Sequence, residues 1–555
     1  MQTINRPILE FTCSRAILCI DLRFQRGKVI ICLYVSDLLL SFYFHRIDGV
    51  RMLETIQQSA ISHDRYQVEL KLDYQLNRKE QTHYRISTYI FVPRSLGITE
   101  ESYPKDELYR DIKNYIRIKT PEMSLRGFSG DNLSPLRTVQ HIVAQSGWYL
   151  EEELNNQLVY TLRLFGAMFK SSLREHLNLV DRRIKAASPG TKIHPLIGNL
   201  IDEMIEQSEK VSAQYRMLYT QLNMPYVRRE VFLAHQLVDE YISLLIEESA
   251  TELFKIVAQY YDGADQLHYS QQLNKIVEKE TTHRVSRGYA SILKIGDENE
   301  AYAFRASVIK KYVGGALHLS IDADREGKGM EQMLLALAAG ISMVFATIVA
   351  FYFQSVYGAF TFPAFVALIV GYMFKDRIKV LAQTLFSGKL HANLFDRRIH
   401  VNTLDGKYKL ATLREKITFL KESEVSPEVR AARRKDPFAD LDNDQQGEIV
   451  ICHTKDIILN ADLFQKAFAG LPKISGLNDI IRYDIHRYLQ KMDEPVEDQL
   501  LLHEGELKVV QSQRVYHINV VSQYSSTGLR NEKIYKRMRL VLNRLGIKRI
   551  EHIAI

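Results

Sequence analysis

Asp322 and Asp324, one residue apart in GGALHLSIDADREGKG, are the pair whose spacing best suggests chemistry. At a strand end such carboxylates share a face and hold Mg²⁺ against phosphate oxygens, because hard cations take oxygen ligands. The same pair also reads as a solvated acidic turn balanced by Arg325 and Lys328. A second group is cationic. Arg530, Lys533, Lys536, Arg537, Arg539 and Arg544 crowd Leu529–Leu545, where Ile534, Met538, Val541, Leu542 and Leu545 recur at helical spacing. The pattern predicts a helix closed by Gly546. Its basic face suits phosphates of lipid head groups or nucleic acid, or it simply keeps a helix on a sheet soluble. Arg430, Arg433, Arg434 and Lys435 form a smaller basic group.

Recognised catalytic signatures are missing. There is no GxxxxGK[ST], no GxGxxG between a strand and a helix, and no HExxH, GxSxG or kinase pattern. His453, His486, His503, His517 and His552 lack metal-ligand spacing. His517, in VYHINVV, reads as a structural histidine on a strand before a catalytic one. Cys452 and His453 are adjacent, so a strand sends them to opposite faces and no dyad forms. Cys13, Cys19, Cys32 and Cys452 show no CxxC spacing, which argues against zinc and against a disulfide framework. No cofactor is indicated.

The elements that would position these groups are dominated by one stretch. From Gln332 to Phe374 there is no Asp, Glu, Lys, Arg or His, in a chain that is 25% charged. A bilayer core about 30 Å thick needs about 20 apolar residues per helix. Two spans are therefore expected, Met333–Phe353 and Ala359–Phe374, joined by a turn at Gln354, Ser355 and Gly358. Tyr352, Tyr357 and Tyr372 suit the interfaces. Arg325 and Lys328 precede the pair, and Lys375, Arg377, Lys379 and Lys389 follow it. By the positive-inside rule both flanks face the cytoplasm, at the plasma (inner) membrane. The competing reading is a buried hairpin in a soluble core.

The predicted fold class is an α+β membrane protein, with a two-helix transmembrane hairpin between a long-helix N-terminal region and a small C-terminal α+β domain. Residues 1–51 form an extension of mixed apolar and charged character, in which Val29–Val35 and Leu38–Phe44 read as two strands or an interfacial segment. The composition changes at Met52, a possible start of translation. Residues 52–135 read as a small α+β region with a β-hairpin from Tyr66 to Pro93 and a helix from Lys105 to Ile118. Residues 136–287 read as a helical bundle or coiled coil, because Leu154, Leu158, Phe165, Phe169, Leu173, Leu177, Val180 and Ile184 stripe one helix. Residues 288–331 are juxtamembrane, 332–374 the hairpin, 375–446 an amphipathic and charged linker, and 447–555 the C-terminal domain. There LNDIIRYDIHRYLQKM reads as a helix.

At 555 residues the chain suits several domains, and its net charge of +7 suits an anionic membrane surface better than nucleic acid alone. The expected role is that of a membrane-integral, non-catalytic scaffold, sensor or effector acting through a homo-oligomer, with the lipid bilayer as partner. The alternatives are a membrane-anchored enzyme for phosphate-containing or lipid substrates, and a membrane-tethered nucleic-acid binder.

Overall fold

The computed structural model describes residues 17–24, 27–34, 58–62, 64–76, 82–186, 194–358, 361–433, 447–469, 474–526 and 533–555. Its body is built from strands drawn from both ends of the chain. Among the described residues, strands β1 (Ile17–Phe24) and β2 (Gly27–Tyr34) pair only with each other. Then come β3 (Gln58–Ser62), β4 (Gln67–Gln75), β5 (Thr82–Pro93), helix α1 (Lys105–Asp111) and β6 (Ile112–Ile118). After the helical region follow β7 (Ser320–Arg325), β8 (Arg397–Asn402), β9 (Lys409–Lys421), β10 (Glu448–Leu459) and β11 (Gly476–Asp484). The chain closes with β12 (Val496–His503), β13 (Glu506–Gln513), β14 (Tyr516–Ser526), β15 (Ile534–Asn543) and β16 (Gly546–Ile553).

An eight-stranded antiparallel sheet runs β16-β15-β14-β5-β10-β9-β8-β7, and a four-stranded one runs β3-β4-β11-β6. They are joined at both margins. Ile547 N donates to the Arg65 carbonyl at 2.8 Å, and Leu319 N to the Ile116 carbonyl at 3.3 Å. Alternation drives the packing: Val68, Leu70, Leu72 and Tyr74 of β4 are buried, with half-buried residues between them. On β10, Ile451, Ile457 and Leu459 join the main core, while Val450 packs in a smaller one with Phe91, Val429 and Val521. Val429 lies on helix α10 (Pro427–Arg433). In β11, Gly476 lies so close to β4 that an added Cβ would overlap the Tyr74 carbonyl oxygen. Backbone cannot give way as a flexible side chain can. Gly476→Ala is expected to lower stability by about 1–3 kcal/mol, seen as an earlier urea midpoint; an unchanged midpoint would show that the two strands can part without cost.

Helices α2 (Pro135–Ala144), α3 (Glu152–Ala186), α4 (His194–Arg216), α5 (Arg229–Tyr260), α6 (Gly263–Arg287) and α7 (Glu300–Gly314) form the helical layer. Its interior is partly ionic. Asp239 on α5 accepts from Arg216 Nε at 3.0 Å and Tyr289 Oη at 2.9 Å, and bonds His283 Nε2 at 2.8 Å. Burial alone would raise its pKa, but His283 and Arg216 outweigh it and hold the carboxyl down to about 2.

The two-span expectation is corrected. Helices α8 (Lys328–Tyr357) and α9 (Phe362–Asn393) do pair. Yet among the described residues α8 alone is long and apolar enough to cross a membrane. The reason is length: α9 is apolar only from Phe362 to Phe374, because Lys375, Asp376, Arg377 and Lys379 follow at once. Gly371 lies against Val349, where an added Cβ would sit 3.0 Å from Cγ1. This contact sets those charged residues alongside the middle of α8. The section apolar on both helices is roughly 20 Å long at 1.5 Å per residue, short of the 30 Å core.

Other expectations also change. The C-terminal strands are not a separate small α+β domain, because β10 and β14 flank β5 and β11 lies between β4 and β6. The expected hairpin from Tyr66 to Pro93 is split, β4 going to one sheet and β5 to the other. Lys105–Ile118 is a short helix followed by a strand. The segment LNDIIRYDIHRYLQKM, expected as a helix, opens within β11 and ends in a helical turn at His486–Leu489. Leu38–Phe44 lies outside the described residues.

Candidate functional site

Strand β10 carries the most concentrated chemistry in the body. Its alternation sends His453 and Lys455 between the two sheets, and both are buried. Lys455 is the cross-strand partner of Glu415 on β9, and its Nζ lies 3.1 Å from Glu415 Oε1. On the opposite sheet, Asp479 Oδ2 accepts from Lys455 Nζ at 2.6 Å and from Tyr74 Oη at 3.1 Å. Asn114 Nδ2 donates to Glu415 Oε1 at 2.7 Å. His453 Nδ1 and Tyr483 Oη share a hydrogen bond of 2.9 Å. One ammonium thus ties two carboxylates across the sandwich.

The protonation states follow. Burial disfavours the Lys455 cation, but Asp479 and Glu415 more than offset this and keep its pKa above the ordinary value. Burial also works against ionised Glu415, yet Lys455 and His453 hold its pKa down. For Asp479 burial prevails and the pKa rises despite Lys455. Burial lowers His453 to about 4, against the pull of Glu415. A protonated lysine is no nucleophile, and Cys452 is no better, since burial pushes its thiol up. The cluster acts as an ionic bolt. Next to it lies a cavity of about 40 Å³, lined by Leu70, Ile90, Ile451, His453 and Tyr483 among others. That is room for a few waters.

No family model, curated protein or solved structure matches this chain.

The candidates read from sequence are dispersed by the fold. Asp322 and Asp324 lie on β7, at the edge of the larger sheet, opposite His400 and Arg398. Both are exposed, and Asp322 Oδ2 accepts from Asn402 Nδ2 at 3.0 Å. Among the described residues no group of three or more His, Cys, Asp or Glu could hold a metal ion. The helix expected at Leu529–Leu545 is strand β15, and Arg530 lies outside the described residues. A strand splits the basic residues between faces. Lys536 stands 5.8 Å from the Tyr524 ring centroid, while buried Arg537 donates to Asn519 Oδ1 at 3.1 Å. Arg544 pairs with Glu494, and Lys533 is exposed at the start of the strand. Among the described residues they form no single stripe. His517 is half-buried on β14 and its pKa is lowered, chiefly by burial.

Sequence reasoning missed the cluster. Glu415, Lys455 and Asp479 come from three separate segments, and only strand pairing brings them together. The available signal was Lys455 at an inward position of a strand, in step with Ile451, Ile457 and Leu459, which demands a buried partner.

Proposed function

We propose that the chain is a membrane-associated, non-catalytic scaffold or effector, whose sheet body stays in water while the turn end of the α8–α9 pair enters the bilayer. One observation carries this reading: only 11% of the most apolar window of α8 is buried. A core helix of a soluble protein hides its apolar side chains. Here Val344, Ile348, Phe351, Phe365, Val366 and Met373 are all exposed. An apolar surface on this scale calls for a cover. Where the shared apolar section ends, Lys375 Nζ lies 3.8 Å from the Tyr372 ring centroid. Such a pair suits the head-group boundary, with the ring in the interface and the ammonium in water. Pairing of β7 with β8 fixes both ends of the helix pair in one sheet, so the body stays on the side from which the pair enters. The protonated, enclosed state of Lys455 supports the non-catalytic part of the reading.

Vesicle flotation of the full-length chain tests it. The wild type is expected to rise with phosphatidylcholine vesicles. A charge in the apolar section costs about 2.5–3.5 kcal/mol, so Ile348→Asp with Phe365→Asp is expected to leave the protein at the bottom of the gradient. Both positions are exposed, so the unfolding midpoint of the body should not move. A wild type that fails to float, or a double variant that floats equally well, would sink the reading.

A further inference from the structure

Four cationic side chains converge where the helical layer meets the smaller sheet: Arg117 on β6, Lys170 and Arg174 on α3, and Lys310 on α7. The backbone makes this meeting unavoidable. Arg163 Nε on α3 donates to the Tyr312 carbonyl at 2.9 Å. A Cβ on Gly166 would sit 2.9 Å from Val313 Cγ1. One turn further along α3 this contact brings Lys170 beside Lys310, and Arg174 follows on the same face. The chain leaving α7 then pairs His318 with Arg117 in a β-bridge, which adds the third element.

These charges are not neutralised locally. Among the described residues none of the four lies within hydrogen-bond or ion-pair distance of a carboxylate, and Arg117 Nε is buried with no acceptor. The nearby acids are few or occupied. Glu69 takes a hydrogen bond from Arg482 at 2.9 Å, Asp73 lies 3.6 Å from Lys71, and Glu248 only partly offsets Lys170. Repulsion is felt at the two half-buried members, Lys170 and Arg117. Burial first, and then Lys310, lowers the pKa of Lys170; burial first, and then Arg174, lowers that of Arg117. Holding like charges together without a partner costs stability, and a bound anion removes that cost.

We propose that this junction binds a phosphate-bearing ligand, held by Arg117, Lys170, Arg174 and Lys310. Phosphate is favoured over a single carboxylate because it carries more charge and three acceptor oxygens. Guanidinium forks match that geometry, and two ammonium groups supply point charge. The ligand is either a soluble phosphate compound or a phospholipid head group, and the experiment separates them.

Pyrophosphate is titrated into the full-length chain by calorimetry at fixed ionic strength. Saturable binding is expected in the wild type. Arg117→Gln and Lys170→Met should each weaken it about tenfold, the loss of one charge-assisted contact. Lys548→Gln, at an exposed position on β16, should leave it unchanged. Arg174→Gln guards against misfolding, because Arg174 is exposed and makes no hydrogen bond; it should weaken binding while the unfolding midpoint stays fixed. In a second arm, flotation is compared on phosphatidylcholine vesicles with and without phosphatidic acid. A gain on the anionic vesicles that disappears in Arg174→Gln assigns the site to a lipid head group. A calorimetric effect without that gain assigns it to a soluble phosphate. No saturable pyrophosphate binding together with no variant effect on vesicles would overturn the proposal, as would equal affinity in the wild type and all three site variants.

Discussion

Lys455→Met is expected to lower stability by about 3–5 kcal/mol, the range for stranding a charge in a protein interior. Lys455 is 1% exposed, and its ammonium is the one cation contacting both Glu415 and Asp479 in the described structure. Methionine fills a similar volume, so packing changes little and the effect reads the electrostatics. With the cation gone, Glu415 keeps only Asn114 and the neutral His453 nearby, and Asp479 keeps Tyr74. One carboxyl takes up a proton and the other remains a poorly compensated anion. The triple change Lys455→Met, Glu415→Gln, Asp479→Asn should recover much of the loss, because breaking such a cluster is more harmful than removing it whole. Urea midpoints at neutral pH measure both. If Lys455→Met shifts the midpoint by no more than a surface substitution does, the cluster holds nothing together.

The second large effect is on acid stability. His453 is pushed by burial from 6.5 to about 4. Its proton is therefore taken up by the unfolded chain before the folded one. The stability that this histidine contributes is fully present above pH 6.5 and is lost as pH falls toward 4. At about 1.4 kcal/mol per pKa unit the loss is on the order of 3 kcal/mol. Glu415 and Asp396 pull the value up and Lys455 pushes it down, so burial decides the balance. His235, His318, His400 and His517 are also lowered, chiefly by burial, and they add slope of the same sign. His453→Gln isolates the contribution of one residue: its stability between pH 6.5 and 4 should fall less steeply than that of the wild type. Parallel curves would mean that His453 is protonated in the native state as readily as in the unfolded chain.

Local pattern reveals some of this architecture and hides the rest for identifiable reasons. The stripe from Leu154 to Ile184 falls on the 35-residue helix Glu152–Ala186, because a long helix buries one face and repeats every three or four residues. Strand β10 stands out because Ile449, Val450 and Ile451 and again Ile457, Ile458 and Leu459 put apolar residues on both of its sides. The stretch Leu529–Leu545, expected as a helix, holds strand β15 instead. Met538, Leu540 and Leu542 alternate as a strand requires, yet Ile534, Met538, Val541 and Leu545 also fit a helix, and pairing with β14 and β16 decides between them. The hairpin expected around Asn77 failed because adjacent strands in sequence need not be neighbours in a sheet. The ionic cluster was invisible for a related reason: nothing local links Glu415 to Lys455 or Lys455 to Asp479.

The joining of distant segments sets the order in which the protein can take shape during synthesis. Strand β5 is flanked by β10 and β14, through pairs such as Ile90 with Ile451 and Val520, so it emerges from the ribosome long before either neighbour exists. The apolar helices α8 and α9 appear within that interval. The helical layer can assemble while it is being made, since its contacts are local, but the sandwich waits for nearly the last residues. During that wait the early strands offer bare edges to any other chain. A ribosome stalled before β14 would thus display compact helices, an exposed greasy pair and sticky unpaired strands. Of all the stages in the life of this protein, that unfinished one is the most in need of a chaperone.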